Sequence, residues 1–275
     1  MTARLFLFCC LISFAFSSCE TPDQALTDTP GFAPEGYKLV WNDEFNSGPL
    51  PDTTKWGYQT GGYGWTAKEL QNYLEADPDN VNVSNGLLNI TARKEKARTN
   101  DYTSTRLVSK GKQEFQYGYI EVRAKMAKGE GLRSAFWLVG AGVSKLGWPH
   151  AGEIDLFEHY GSFPTVISGA VQTQANNWAT RSQVGASVQQ PDFEDEFHVF
   201  GCKWTKDALV FSVDGAEYWT YTPRPGKGKS AYPFVAPYYM AATLSVGGIR
   251  GPNAKVDDSA FPATMSIDYV RVYQQ

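Results

Sequence analysis

Basic charge is not in excess in this 275-residue chain: 25 Lys and Arg stand against 29 Asp and Glu, a formal net charge of -4. Gripping phosphate backbones leaves a basic footprint, so nucleic-acid binding is excluded as the main role. Histidine is scarce, with 3 in all, and His150, His159 and His198 lack metal-ligand spacing, which excludes a zinc site. No G-x-S-x-G provides a serine-hydrolase elbow. GKGKS at 226–230 lacks the first glycine of a phosphate loop, because position 223 is Pro. Long apolar runs are missing beyond residue 16, and no later segment sustains a 3.6-residue period between caps. What is present is apolar and aromatic weight. With 42% hydrophobic, 14% aromatic and only 20% charged residues, the chain cannot be globally disordered and can bury a sizeable core.

The 4 cysteines do not make a disulfide framework once their positions are read. Cys9 and Cys10 lie in the apolar run Leu5–Phe16, which follows Arg4 and has the length of a secretory h-region rather than of a bilayer span. Ser17 and Ser18 precede Cys19 in a pattern similar to a bacterial lipoprotein processing site, so Cys19 is expected to carry the lipid. Residues 1–18 then form a signal peptide. Residues 19–36, polar and with Pro22, Pro30 and Pro34, form a tether. Residues 37–275 form one domain. The chain is expected to be exported as an outer-membrane or cell-surface lipoprotein, with a periplasmic or secreted form as the alternative. Its contact with a membrane is expected only through that anchor. Cys202, in FHVFGCKW, reads as a buried, inert thiol.

The domain reads as β. Short runs rich in Val, Ile, Thr and aromatics recur between Gly, Pro, Asn and Asp, and Tyr119–Lys125 alternates polar and apolar positions on opposite faces. Asn85-Gly86, between two such runs, signals a hairpin. Many short strands in a domain of this size imply a sandwich or barrel.

The segment Gly152–Tyr160 sets Glu153, Asp155 and Glu158 among large apolar residues. In a regular strand Glu153 and Asp155 share a face and Glu158 points the other way. A β-bulge at Leu156–Phe157 would return Glu158 to the acidic face. The two glutamate Cα atoms are then about 13 Å apart, and side-chain reach leaves roughly 5–6 Å between carboxyls. That is the separation of a retaining glycosidase, about 5–5.5 Å; an inverting pair needs more room for its water. A calcium site would more naturally use loops with interleaved Asn, Gly and carbonyls.

In WPHAGEIDLFEHYG the chain resembles glycoside hydrolase family 16, in its laminarinase-like branch. LVWNDEFN, LPDTTKW, ELQNY, NGLLNITARKE, YGYIEVRAK, FHVFGCKWT and FPATMSIDYVRVYQ extend the resemblance over the whole domain in the expected order. It implies a β-jelly-roll sandwich of two antiparallel sheets with a concave substrate cleft. By the same resemblance Glu153 is the nucleophile and Glu158 the general acid/base, with Asp155 between them. The implied activity is a retaining endo-β-glycosidase acting on a β-1,3-glucan or mixed-linkage glucan.

Sugar rings pack their C–H faces on indole, which makes Trp137, Trp148 and Trp65 the cleft candidates, with Trp204 and Trp219 left to the core. Arg106 matches a position the family uses near substrate. Two departures matter. Arg133 stands where laminarinases usually carry a tryptophan, and Gln172 where they usually carry a histidine. A cation in place of a stacking ring could favour a polar or anionic substituent, which keeps agar-like, porphyran-like or mucin-type galactose chains open as substrates. A non-catalytic glycan-binding jelly roll is the alternative from another class. No cofactor is expected for catalysis. The resemblance implies a structural calcium, whose matching groups would be Glu44, the backbone of Gly86, and Asp268.

Overall fold

In the computed structural model, which describes residues 31–62, 68–222, 225–248 and 255–275, the β-rich runs form strands in two large antiparallel sheets. In chain order the strands are β1 (Lys38–Asp43), β2 (Gly57–Tyr58), β3 (Gln71–Tyr73), β4 (Val81–Ser84), β5 (Leu87–Ala92), β6 (Tyr102–Ser104), β7 (Arg106–Val108), β8 (Gly118–Lys125) and β9 (Leu132–Gly140). They continue as β10 (Glu153–Tyr160), β11 (Val166–Gln172), β12 (Val184–Gln189), β13 (His198–Trp204), β14 (Leu209–Val213), β15 (Ala216–Tyr221), β16 (Tyr238–Val246) and β17 (Ala263–Gln274). One sheet runs β15-β14-β13-β8-β17-β5-β4, with β1 also on β17; the other runs β12-β11-β10-β9-β16-β7-β2. A short parallel pair, β3 and β6, stands beside them. Sheet neighbours distant in sequence, such as β9 and β16, give the crossed connections of a jelly roll.

Local chemistry explains the elements. In β5 Leu88, Ile90 and Ala92 are fully buried while the residues between them are only partly so, the period of a strand with one face in the core. Asn85 and Gly86, at φ 54° and 72°, turn β4 back into β5, which is the left-handed pair a two-residue hairpin requires. The two sheets meet through aromatics: Phe157 of β10 lies 4.7 Å from Phe200 of β13, centroid to centroid, with Phe136 of β9, its neighbour in the same sheet, 6.2 Å away. Removing a ring such as Phe157 would cost about 3–5 kcal/mol. Trp204 belongs to this core, with its indole N–H on the Phe234 carbonyl at 2.9 Å, and Trp219 packs against it. Cys202 is free and buried, and burial pushes its thiol well above the usual range.

The outer face of β8 departs from expectation. Alternation places Glu121 on the polar face, yet it is fully buried. Its carboxylate accepts the Phe32 backbone N–H at 2.8 Å and the Tyr273 hydroxyl at 3.0 Å, and burial raises its pKa despite those bonds. Gly31 and Phe32, at the end of the expected tether, therefore lie against Glu121 on that face.

Candidate active site

One face of the second sheet lines a cavity of about 330 Å3. Strand alternation supplies its lining: Arg133, Ala135, Trp137 and Val139 from β9, Tyr239 and Ala241 from β16, and Arg106 from β7. The cross-strand register arranges these side chains in rows. Tyr239, Val139 and Glu153 stand abreast; next come Ala241, Trp137 and Asp155; then Thr243, Ala135 and Glu158. Ala135 and Ala241 keep the floor low between taller walls, which leaves room for a ligand.

The acidic strand reaches this face by a register shift. Against β11 the pairing steps from Asp155↔Ala170 to Glu158↔Ser168, so Leu156 and Phe157 together oppose Gly169. Against β9 it steps from Asp155↔Trp137 to Phe157↔Phe136. Ile154, Leu156 and Phe157 all enter the core, while Glu153, Asp155 and Glu158 all line the cavity. Two successive inward residues reset the alternation, as a β-bulge does.

Burial raises the Glu153 pKa to about 7, and the Glu158 charge adds to the rise. Hydrogen bonds from Asp155 and from the Trp148 indole, 3.1 Å from Glu153 Oε2, oppose it. Asp155 is raised well above its ordinary value, first by burial and then by the charges of Glu153 and Glu158. The physical reading is a shared proton: Asp155 stays protonated and donates it to the Glu153 carboxylate.

The residues named from sequence that fall within the described segments have definite places. Trp137 and Trp148 line the cavity. Trp65 and Cys19 lie outside the described residues. Arg106 is buried rather than a surface cation, its guanidinium 4.7 Å from the Tyr73 ring centroid and 5.1 Å from that of Trp137. Gln172 does not line the cavity. Its amide donates to Asp155 Oδ2 at 2.8 Å and accepts the Trp178 backbone N–H at 3.0 Å, so it braces Asp155. Arg133 lines the cavity but is not a free cation. It donates from Nε to Ser245 Oγ at 3.2 Å, from Nη1 to Glu158 at 3.2 Å and from Nη2 to Glu69 at 2.8 Å.

Of the calcium candidates, the two carboxylates are engaged by arginines. The Glu44 carboxylate takes Nε and Nη2 of Arg271 at 2.8 Å each, and the Asp268 carboxylate takes Nη1 of Arg123 at 2.6 Å. Both charges are already neutralised, whereas calcium needs several free oxygens. Among the described residues no group of three or more His, Cys, Asp or Glu gathers for a metal.

Sequence reasoning missed Trp178 and Glu69. Trp178 is 42% exposed, lines the cavity and packs on Trp148 with ring centroids 5.3 Å apart. Its signal was the Asn177 that caps the turn Trp178–Thr180. Glu69 stands in the ELQNY run and is 1% exposed.

A jelly roll with clustered carboxylates facing a cavity walled by indoles defines the class of the protein: it is a glycoside hydrolase. More narrowly, the chain belongs to glycosyl hydrolases family 16, whose model matches residues 69–271. It is 38% identical over 244 residues to a beta-glucanase of Rhodothermus marinus, covering 86% of this chain and 85% of the relative. The laminarinase structure from Rhodothermus marinus superposes with a TM-score of 0.84 at 38% identity, covering 86% of this chain and 97% of that one. A keratan-sulfate endo-1,4-beta-galactosidase of Sphingobacterium multivorum is 31% identical over 86% of this chain, which spans 55% of that relative.

Proposed function

We propose that this chain is a retaining endo-β-glycosidase cutting internal linkages of a β-1,3-glucan or mixed-linkage β-glucan. The observation that carries the reading is the placement of Glu153, Asp155 and Glu158 on the cavity face of one strand, in a chain similar to a beta-glucanase and a laminarinase. Glu153, ionised under the Asp155 and Trp148 hydrogen bonds, attacks the anomeric carbon. Glu158 protonates the leaving oxygen as the glycosidic C–O bond breaks, giving a glycosyl-enzyme. Glu158, now a carboxylate, takes a proton from water; the water oxygen attacks the same carbon and frees Glu153. Two inversions leave the β-anomer.

The test is to incubate the protein with laminarin, mixed-linkage glucan, agarose, porphyran and mucin O-glycans, and to follow the first product by NMR. Laminarin cleavage with β-anomer released first is expected; α-anomer first would refute the mechanism. Turnover of only the galactose chains would favour the galactosidase reading, to which the keratan-sulfate relative lends support. Binding without turnover on any glycan would favour the lectin.

The Cys19 pattern supports export with a lipid anchor at the outer membrane or cell surface. Labelled fatty acid should enter the wild type and not Cys19→Ala; equal labelling of both would remove the anchor.

A further inference from the structure

Arg133 has three acidic or polar partners, and one of them is a carboxylate far from it in sequence. Glu69 is 1% exposed and accepts Arg133 Nη2 at 2.8 Å, Gln71 Nε2 at 3.0 Å and the Tyr73 hydroxyl at 3.1 Å, with Arg106 Nη2 at 3.6 Å. Ser245 and Tyr160 flank Arg133 directly in the register on β16 and β10, and Arg133 Nε holds Ser245 Oγ. Three of its five N–H groups are spoken for by fixed neighbours, so the planar fork has little freedom to turn. Burial works against its charge, but the neighbouring carboxylates of Glu69 and Glu158 hold its pKa above the usual range.

From this geometry we propose that Arg133, anchored by buried Glu69, is a positioning residue that fixes the Glu158 carboxyl for proton transfer. The proposal rests on the reading of Glu158 as the general acid/base. Glu69 and Glu158 lie on opposite arms of one guanidinium, so Glu69 sets where the Nη1 arm points and Nη1 sets where Glu158 Oε1 sits. The Tyr160 hydroxyl, 3.4 Å from the same oxygen, closes the cradle from β10. Other ionisable groups facing Glu158 are Glu153 and Asp155 on its own strand, with Arg106 of β7 across the cavity. A tryptophan at position 133 could not make these bonds, so the substitution changes how the acid is held rather than adding a free charge for substrate.

An acid-positioning role predicts dependence on the leaving group. Laminarin expels a sugar alkoxide and needs the proton; a 2,4-dinitrophenyl β-laminaribioside expels a phenolate that does not. In Arg133→Met, kcat/KM on laminarin is expected to fall about 100-fold and on the dinitrophenyl substrate less than about 3-fold, within the range acid catalysis contributes. Glu69→Gln should show the same substrate contrast at about 10-fold, by loosening the anchor. Equal losses on both substrates, or no loss on laminarin, would overturn the proposal. Glu158→Ala is the control. If it too loses both substrates equally, the acid/base reading fails; if it spares the dinitrophenyl substrate, only the Arg133 role is at stake. Should Arg133→Met not fold by circular dichroism, Arg133→Lys carries the same comparison, since one ammonium cannot span Glu69 and Glu158 as the fork does.

Discussion

The Trp148 indole donates its N–H to Glu153 Oε2 at 3.1 Å, and the same ring packs on Trp178. One side chain thus steadies the proposed nucleophile and builds the cleft wall. Trp148→Phe keeps most of the wall and removes the bond. A hydrogen bond to a charged group is worth about 1.5–3 kcal/mol, so kcat/KM should drop roughly 10- to 100-fold. Because that bond favours the ionised form, the acid limb of the profile should move to higher pH. An unchanged limb in a pH–rate series would disprove the link.

Trp178 offers a second test. Its exposed face has no role in the core, and a sugar ring stacked on it gains more than area burial alone. Trp178→Ala should raise KM for laminarin by about 10-fold while leaving kcat within about 2-fold, since uniform binding is what is lost. Steady-state kinetics on laminarin checks this, and a fall in kcat with KM unchanged would contradict it.

Glu153 links activity to stability with a definite sign. Its folded pKa of about 7 lies above the ordinary 4.5, so the folded state keeps a proton that the unfolded chain has released between those values. Its contribution is full below pH 4.5 and is lost as pH rises to about 7. Glu153→Gln escapes that loss and should be more stable than wild type at pH 8, by at most about 3 kcal/mol, with no gain at pH 4. Calorimetry at the two pH values reads this as a rise in Tm of up to roughly 5–10 °C at pH 8 only. An equal Tm difference at both would mean that the effect is packing.

Gln172→Leu keeps the volume of the side chain and deletes two bonds, the amide to Asp155 and the acceptor for Trp178. Leaving those buried groups unpaired should cost about 1–3 kcal/mol in urea unfolding. Activity should fall as well, because Asp155 loses the donor that holds its carboxyl toward Glu153. Wild-type turnover in a destabilised variant would show that Gln172 braces only the turn.

The acidic strand was legible because its logic is local: Glu153, Asp155 and Glu158 share a face only if two inward residues intervene, and Leu156 and Phe157 supply them. The hairpin at Asn85-Gly86 was legible for the same reason, a backbone demand met by two adjacent residues. Contacts between distant segments were not. Glu69 lies 64 residues from Arg133, and nothing in ELQNY says which cation it meets. Glu121 reads as an outward residue until Phe32, 89 positions earlier, is laid over it. Gln172 enters only through the resemblance, as the position where a histidine is usual; its bond to the Trp178 backbone depends on how the chain returns after the strand.

The doubled inward pair at Leu156–Phe157 separates two quantities that an ordinary strand ties together, the number of residues and the face each one presents. Removing either member would leave a strictly alternating strand with Glu153, Asp155 and Glu158 still on the cavity side, and the loss would fall on the interior, where Phe157 meets Phe200. Removing Glu158 or His159 would instead turn the later side chains of the strand to the wrong side. The strand therefore has a one-residue slack built in at one place, where chain length can change and be absorbed by packing while the reactive groups keep their side.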